Sequence, residues 1–127
     1  MIARDIMTRT VFTIQAEATA QEVAQLLAQK RISGVPVVDE HNNIIGIVTE
    51  ADIISKVIRE GLTVADLMSC EVITVDEEMP ASDIAALLTE RRIKRVPVVS
   101  EGKLVGIVSR GDIVRAVAEG YLIIRQW

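Results

Sequence analysis

"GIVTEADII" (46–54) and "GIVSRGDIV" (106–114) are two copies of one phrase, sixty positions apart in the chain. Each copy has a glycine, two β-branched residues, a threonine or serine, and an aspartate three positions after that hydroxyl residue. A β-branched run is typical of a strand, and a hydroxyl residue followed three positions later by an acidic one is typical of a helix start. The phrase therefore predicts a strand that turns directly into a helix, twice in one chain.

The repeat extends well beyond this phrase. After a shift of 61 positions, residues 5–40 match residues 66–101, including the identical "VPVV" segments at 35–38 and 96–99. One residue is lost in the second polar turn, so the offset at the quoted phrase is 60. A unit of this size buries little core alone, and two packed copies would bury a continuous one. Duplication for stability is therefore one explanation of the repeat.

Periodicity gives each copy the order β-α-β-β-α. Apolar residues at helical spacing predict helices, and short alternating or fully apolar runs predict strands. Thr19 and Pro80 are typical of helix starts, while Gly61 and Gly120 are typical of helix ends. We expect an α+β protein with one repeat over 1–60, a second over 61–120 and a tail over 121–127. The predicted helices span 20–32, 52–61, 81–93 and 112–120, and the predicted strands span 34–39, 44–49, 71–75, 95–100 and 104–109.

Composition narrows the class of protein. The chain has 127 residues, of which 50% are hydrophobic and only 2% aromatic, and its formal net charge is −4. This acidic balance, without a basic stripe, disfavours nucleic acid as a partner. No apolar run reaches the roughly 18–20 residues that a membrane span needs, and the N-terminus has no secretory apolar segment. Because the single cysteine also excludes an intrachain disulfide, we expect a soluble, cytoplasmic protein.

Side chains for catalysis are not grouped in the sequence. The lone His41 lies in a predicted polar turn, and Ser109 has no histidine partner for nucleophilic chemistry. One histidine and one cysteine leave no ordinary zinc site, and neither a Walker loop nor a dinucleotide fingerprint is present. We therefore expect a protein that is not an enzyme, with no catalytic residues, no required cofactor and no metal.

The hydroxyl and aspartate of the phrase have two interpretations. Thr49 with Asp52, and Ser109 with Asp112, are spaced as a capping box that stabilises a helix start. The same groups suit a nucleotide, because a carboxylate accepts from ribose hydroxyls and a helix start attracts phosphate. The preceding glycine allows close approach to the backbone. Spacing alone leaves both interpretations open.

The ordered set of motifs resembles the cystathionine-β-synthase (CBS) domain family. The resemblance rests on "RISGVPVVDE" (31–40), "IIGIVTEADII" (44–54) and a second copy ending "LVGIVSRGDIV" (104–114), and it spans almost the whole chain. It implies two CBS repeats packed through their sheets with pseudo-two-fold symmetry, an arrangement called a Bateman module. Members of the family bind AMP, ADP, ATP or S-adenosylmethionine in two clefts and regulate other proteins.

The resemblance implies a stand-alone regulatory module that binds an adenine nucleotide, senses the energy state and acts through an unidentified effector protein. The alternatives are a module that binds S-adenosylmethionine and a structural dimerisation module with degenerate clefts. CBS pairs commonly form homodimers through their helices. The small residues of "AAL" (85–87) and "AVA" (116–118) suit close helix approach, so a homodimer is expected.

By the same resemblance, each cleft takes the phrase from one repeat and segments flanking two strands from the other. The aspartate would hold the ribose, the hydroxyl would face ribose or phosphate, and the apolar residues would enclose adenine. Cleft A would comprise Ile47, Thr49, Asp52, Met68, Ile73, Ile93, Lys94 and Arg95. Cleft B would comprise Met7, Phe12, Ile32, Ser33, Gly34, Ile107, Ser109 and Asp112.

The two clefts differ in charge. Lys94 and Arg95 lie where other family members place basic residues that meet phosphates, and the first repeat has Ser33 and Gly34 there. The resemblance favours phosphate binding by Arg95, and the alternative is a solvated helix end. Cleft A is therefore expected to prefer charged nucleotides.

The segment "YLIIRQW" (121–127) follows the second repeat and ends in the only tryptophan. It suits either packing across its own domain or contact with a partner, since exposed tyrosine and tryptophan favour interfaces.

Overall fold

The computed structural model describes residues 1–56 and 61–122, and the chain divides into two compact units. Unit I is residues 12–72, and unit II joins residues 1–11 to residues 73–127. The described elements, in chain order, are α1 (Ala3–Ile6), α2 (Ala20–Lys30), β1 (Gly34–Val38), β2 (Ile44–Thr49), α3 (Glu50–Ser55), α4 (Val64–Leu67), β3 (Val75–Asp76), α5 (Ala81–Glu90), β4 (Arg95–Ser100), β5 (Lys103–Ser109) and α6 (Arg110–Ala118).

Unit I is built on an antiparallel hairpin of β1 and β2. Gly34 lies opposite Thr49, and Ile14 adds a single parallel bridge to Val37. All five residues of β1 are buried, and Val35 and Val37 share a core with residues of α2 and α4. The buried core of unit I consists of Val23, Leu27, Val35, Val37, Val48, Val64 and Leu67.

Unit II repeats this plan with a fuller sheet in the order β3-β4-β5. β3 runs parallel to β4, and β4 pairs antiparallel with β5 so that Arg95 lies opposite Ser109. The N-terminal segment of the chain contributes α1 and Met7 to this core rather than to that of unit I. The buried core of unit II consists of Ala3, Met7, Val75, Ile84, Leu88, Val96, Val98 and Val108.

The α+β class is confirmed, and each copy has the predicted order α-β-β-α after its first strand. In the first copy that leading strand is reduced to the single bridge of Ile14 to Val37. The main difference is the strand predicted over 71–75, of which only Val75 pairs with a neighbour, continuing to Asp76. Val75 and Asp76 lie beside Val98 and Val99 of β4. No such pairing extends over 71–74, so alternation there produces no strand among the described residues.

Helices end and begin close to the predicted residues. Thr19 caps α2 by accepting a hydrogen bond from the amide of Glu22 at 3.0 Å, and Pro80 occupies the N-cap position of α5. Gly120 has a φ of 83° and follows α6, and the amide of Tyr121 donates to the carbonyl of Ala116 at 2.8 Å. This is the glycine-terminated helix end predicted for the second repeat. The helix predicted over 52–61 corresponds to α3, which ends earlier than predicted, at Ser55, with Lys56 as its C-cap. Residues 57–60 and residues 123–127 of the tail lie outside the described residues.

Two four-residue helices, α1 and α4, were not expected from the sequence. Each has an aspartate in its first turn whose carboxylate accepts the amide of the N-cap residue. The distances are 3.0 Å from Ile2 to Asp5 and 2.8 Å from Thr63 to Asp66. One turn is too short to produce a helical hydrophobic period, so only the capping residues could have indicated these helices.

The hairpin turns of the two units differ. In unit I, the side chain of Asp39 accepts the amides of His41 and Asn43 at 2.9 Å and the side-chain amide of Asn43 at 3.0 Å. The hydrogen bonds from Asn43 lower the pKa of Asp39 below its usual 3.8. In unit II, Ser100 pairs directly with Lys103 across a two-residue turn. The longer first turn therefore depends on side-chain hydrogen bonds, and the shorter one on backbone pairing.

Candidate functional site

In unit II, the glycine of the repeated phrase lies beneath a methionine. A β-carbon on Gly106 would lie 2.5 Å from the sulfur of Met7. The next residue, Thr8, is bridged to Ile107: each amide donates to the other's carbonyl, at 2.8 and 2.9 Å. The segment preceding the first repeat is thus held on the strand of the second phrase.

Unit I contains the equivalent contact. Met68 covers Gly46, where a β-carbon would lie 2.7 Å from its sulfur, and the amides and carbonyls of Ser69 and Ile47 pair at 2.9 Å. The sequence predicted that these glycines permit close approach, and the group that approaches is a thioether of the same unit. Both methionines therefore lie beside the phrase with which the sequence had grouped them.

In unit I, Thr49 and Asp52 form a capping box at the start of α3. The Asp52 amide donates to Oγ1 of Thr49 at 3.4 Å, while Oδ2 of Asp52 accepts the Thr49 amide at 2.8 Å and the hydroxyl at 3.0 Å. Asp52 is half-buried. Its second oxygen, Oδ1, accepts no hydrogen bond from any described residue. The carboxylate is thus fixed by one oxygen and has the other available as an acceptor.

In unit II, Ser109 and Asp112 form the same capping box at the start of α6. Oδ2 of Asp112 accepts the Ser109 amide at 2.8 Å and its hydroxyl at 3.1 Å. Here Oδ1 is also occupied, by the Thr8 hydroxyl at 3.2 Å and by a guanidinium nitrogen of Arg115 at 3.0 Å. Asp112 is 3% exposed and is the one charged residue buried among those described.

The capping interpretation of the phrase is confirmed in both units. Asp5 and Asp66, each in the first turn of a helix, also accept the N-cap amide on their carboxylates. The sequence did not place either of them in a ligand site. A capping box alone therefore does not identify a ligand site, and the geometry of the remaining oxygen has to distinguish one aspartate from another.

The basic residues predicted for cleft A lie at the entry to β4 in unit II. Lys94 is exposed, and its carbonyl accepts the amide of Arg110 at 2.9 Å. Arg95 is half-buried, and its Nε is buried without a hydrogen-bond partner among the described residues. A buried guanidinium nitrogen without an acceptor is costly, and an anion could satisfy it.

Each predicted cleft takes residues from both units. For cleft A, the structure brings together Ile47, Thr49, Asp52 and Met68 in unit I, while Ile73, Ile93, Lys94 and Arg95 belong to unit II. For cleft B, it brings together Met7, Ile107, Ser109 and Asp112 in unit II, while Phe12, Ile32, Ser33 and Gly34 belong to unit I.

Within unit I, the members of the predicted cleft B have distinct surroundings. The ring of Phe12 is 40% exposed and lies 5.0 Å from the ammonium group of Lys30. Ile32 lines a largely apolar groove beside α2 and α3. The carbonyl of Ser33 accepts the amide of Glu50 at 2.9 Å, and Gly34 lies opposite Thr49.

Thr8 and Arg115 contact Asp112 and were missed by the sequence analysis. Arg115 follows Asp112 by three residues on one helix, a spacing that brings side chains together and could have indicated the ion pair. Thr8 lies 104 residues before Asp112. Only its position after Met7, already grouped with this phrase, pointed in that direction.

Two negative findings apply to residues 1–56 and 61–122. They contain no group of three or more histidine, cysteine, aspartate or glutamate side chains arranged to hold a metal ion. They also contain no helix of the length and apolarity required to cross a membrane.

The CBS domain family model matches residues 3–59 and 64–119, which is nearly all of the chain and both copies of the phrase. The chain belongs to the CBS domain family. Two solved structures are similar to it over most of their length. The CBS domain pair of protein MJ0100, in complex with 5-methylthioadenosine and S-adenosyl-L-methionine, is 30% identical with a TM-score of 0.82, covering 94% of this chain and 98% of that one. CBSX2 of Arabidopsis thaliana in complex with AMP is 28% identical with a TM-score of 0.86, covering 93% and 97%.

Among curated relatives, the uncharacterised protein MK0525 of Methanopyrus kandleri is 36% identical over 125 residues, covering 94% of this chain. The chain spans 63% of the length of that protein, and 23% and 43% of two longer relatives from Methanocaldococcus jannaschii. This CBS pair therefore corresponds to part of those proteins.

Proposed function

We propose that this chain is a regulatory module that binds an adenine nucleotide, AMP, ADP or ATP, and acts through an effector protein rather than by catalysis. The observation that carries the proposal is the carboxylate of Asp52. Its capping bonds orient it through Oδ2, and Oδ1 remains available to accept from ribose hydroxyls. The similar structures that contain AMP or S-adenosyl-L-methionine support an adenosine ligand.

Arg95 favours a phosphate-bearing ligand over S-adenosylmethionine. Its buried Nε has no acceptor among the described residues, and a phosphate oxygen would supply one. S-adenosylmethionine offers a single carboxylate together with two cationic groups, a sulfonium and an ammonium, whereas AMP places a phosphate of up to two negative charges on the ribose. The assignment of Arg95 to the same ligand as Asp52 comes from the family resemblance and remains part of the proposal.

A melting-temperature series tests the function. A ligand that binds only the folded chain raises its melting temperature, so AMP or ATP should raise it more than adenosine or S-adenosylmethionine at equal concentration. No shift with any of the four would contradict nucleotide binding and favour the structural dimerisation module. A larger shift with S-adenosylmethionine would contradict the phosphate assignment.

Two substitutions test the residues. Asp52→Asn should weaken adenosine binding by roughly 1–3 kcal/mol, the usual range for a hydrogen bond to a charged group, with little change in stability. Asp66→Asn is the matched control, because Asp66 has the same capping geometry in the same unit outside the predicted clefts. Equal stability losses with unchanged adenosine binding would leave Asp52 as a cap alone.

Arg95→Ala should weaken AMP binding far more than adenosine binding, because only AMP offers a phosphate to the guanidinium. The exposed Arg91, at the end of α5, provides a charge-matched control as Arg91→Ala. Equal losses for AMP and adenosine would return Arg95 to a structural role.

We also propose that the chain forms a homodimer. Ile54 on α3 is 70% exposed, and Val114 on α6, at the same position of the repeated phrase, is 66% exposed. Branched apolar residues exposed at equivalent helix positions are suited to burial against a second copy.

A further inference from the structure

The carboxylates of Asp52 and Asp112, the two proposed ribose ligands, differ in how many of their oxygens already accept hydrogen bonds. Asp112 accepts hydrogen bonds on both oxygens, from Ser109, Thr8 and Arg115. Asp52 accepts only from Thr49, on one oxygen. A ribose hydroxyl can therefore donate to Oδ1 of Asp52 without displacing a hydrogen-bond donor of any described residue. At Asp112 the ribose would have to displace a hydroxyl or a guanidinium.

The two repeats have different residues at the positions of these two donors. Thr8 is matched by Ser69 after the 61-residue shift, and Arg115 is matched by Ser55 after the 60-residue shift. Neither serine donates a hydrogen bond to the carboxylate of Asp52. The hydroxyl of Ser55 donates instead to the backbone carbonyl of Asp52 at 3.0 Å. Both donors that occupy Oδ1 of Asp112 are thus specific to unit II.

We propose that Thr8 and Arg115 decide which aspartate takes up the nucleoside, by occupying the carboxylate of Asp112 while that of Asp52 stays available. The inference rests on the proposed nucleotide-binding function. Breaking an ion pair with a buried carboxylate leaves that charge without its partner, so the ligand must compensate for the loss. The first nucleoside therefore binds through Asp52, and Asp112 becomes available only at higher ligand concentration.

The surroundings of Arg115 make this occupation reversible. Arg115 and Asp112 line a polar cavity of about 210 Å³ together with Asp5 and Glu119, all within unit II. The Arg115 side chain is 61% exposed, whereas that of Asp112 is 2% exposed. When displaced, the guanidinium has water and two other carboxylates as partners, while Asp112 keeps only neutral donors, from Ser109 and Thr8, and needs the ligand to replace the lost cation. Arg115 is thus the mobile half of the pair in any exchange.

Adenosine titration by calorimetry tests the inference without involving phosphate contacts. The unmodified chain should show one strong site per chain. The double variant Thr8→Ala/Arg115→Ser removes both donors from Oδ1 of Asp112. It should show a second site, with an affinity for adenosine about tenfold or more above that of Asp112 in the unmodified chain. Arg115→Lys retains a cation at the carboxylate and should keep the single-site behaviour. Arg91→Ser removes the same charge from an exposed position of unit II and should change nothing.

A second variant, which introduces the two donors beside Asp52 instead, keeps the inference testable if the first variant fails to fold. Ser55 and Ser69 are exposed, so Ser55→Arg/Ser69→Thr should be tolerated and should weaken the strong site by about tenfold.

Two equal sites in the unmodified chain, or no new site in a folded Thr8→Ala/Arg115→Ser variant, would overturn the inference. So would a loss of AMP binding on Arg115→Ser with adenosine unchanged, because Arg115 would then be a phosphate ligand. No binding of AMP or adenosine by the unmodified chain would refute the proposed function itself, and the inference with it.

Discussion

At the scale of single residues, the glycine and methionine of each repeat form one packing unit. A β-carbon on Gly106 would lie 2.5 Å from the sulfur of Met7, 2.8 Å from its Cγ and 3.0 Å from the Thr8 carbonyl oxygen. A flexible thioether end could move aside, but Cγ moves only with a change of the χ1 rotamer in a packed site, and the bridged carbonyl moves only with the backbone. The glycine is therefore needed for the docking of residues 7–8, which also places Thr8 beside Asp112.

Gly106→Ala should lower the free energy of unfolding by about 1–3 kcal/mol through overpacking. Gly46→Ala should cost less, because the corresponding distances to Met68 and to the Ser69 oxygen are 2.7, 3.0 and 3.1 Å. Urea unfolding of both variants measures the difference.

Gly111→Ala is the control for these substitutions. A β-carbon there would meet only the Ser109 hydroxyl, at an ordinary 3.5 Å, and Gly111 lies in α6. Alanine is the better helix former, so this variant should gain up to about 0.5–1 kcal/mol. Equal effects at the three glycines would contradict the packing role of the methionines.

At the scale of elements, the two hairpin turns show how one repeat tolerates different local chemistry. The turn after β4 has positive φ at both central residues, 52° at Glu101 and 80° at Gly102. A turn with positive φ at both central residues matches the twist of the strands in a two-residue hairpin. Glycine adopts this left-handed conformation freely, whereas glutamate adopts it with strain. The strain at Glu101 is offset by the paired strands on either side.

Glu101→Asn should raise the free energy of unfolding by about 0.5–1 kcal/mol, because asparagine tolerates the left-handed conformation that a two-residue turn requires. Glu101→Ala removes the same charge without that tolerance and should give no gain. Thermal unfolding of the two variants separates conformation from charge. A similar rise for both would assign the effect to the loss of the carboxylate.

At the scale of the whole molecule, periodicity predicted the elements because the same pattern occurs twice at one spacing. It could not predict α1 and α4, which last a single turn. Self-similarity also aligns Met7 with Met68 but does not say which copy of the phrase each covers. The structure places residues 1–11 in the unit of the second phrase and residues 61–72 in the unit of the first.

The candidate site was also predictable only in part. The aspartates and their hydroxyl partners follow from spacing, and their capping role was one of two stated interpretations. The occupation of Asp112 by Thr8 was not predictable, because it depends on a contact across 104 residues. The linear bounds of the repeats and the membership of the two clefts stay predictions.

The exposed apolar residues of α3 and α6 allow the proposed homodimer to be tested. If Ile54, 70% exposed, and Val114, 66% exposed, are buried against a second copy, a charge at either position would have to be desolvated without a partner. Ile54→Lys and Val114→Lys should therefore convert a dimer to a monomer at tens of micromolar, as measured by light scattering. Gln29→Lys adds the same charge at an exposed position of α2 and should leave the dimer intact. A monomeric unmodified chain, or dimers that persist in both lysine variants, would show that these residues do not form the interface. Because the dimer and nucleotide binding are independent proposals, the monomeric variants should still bind AMP.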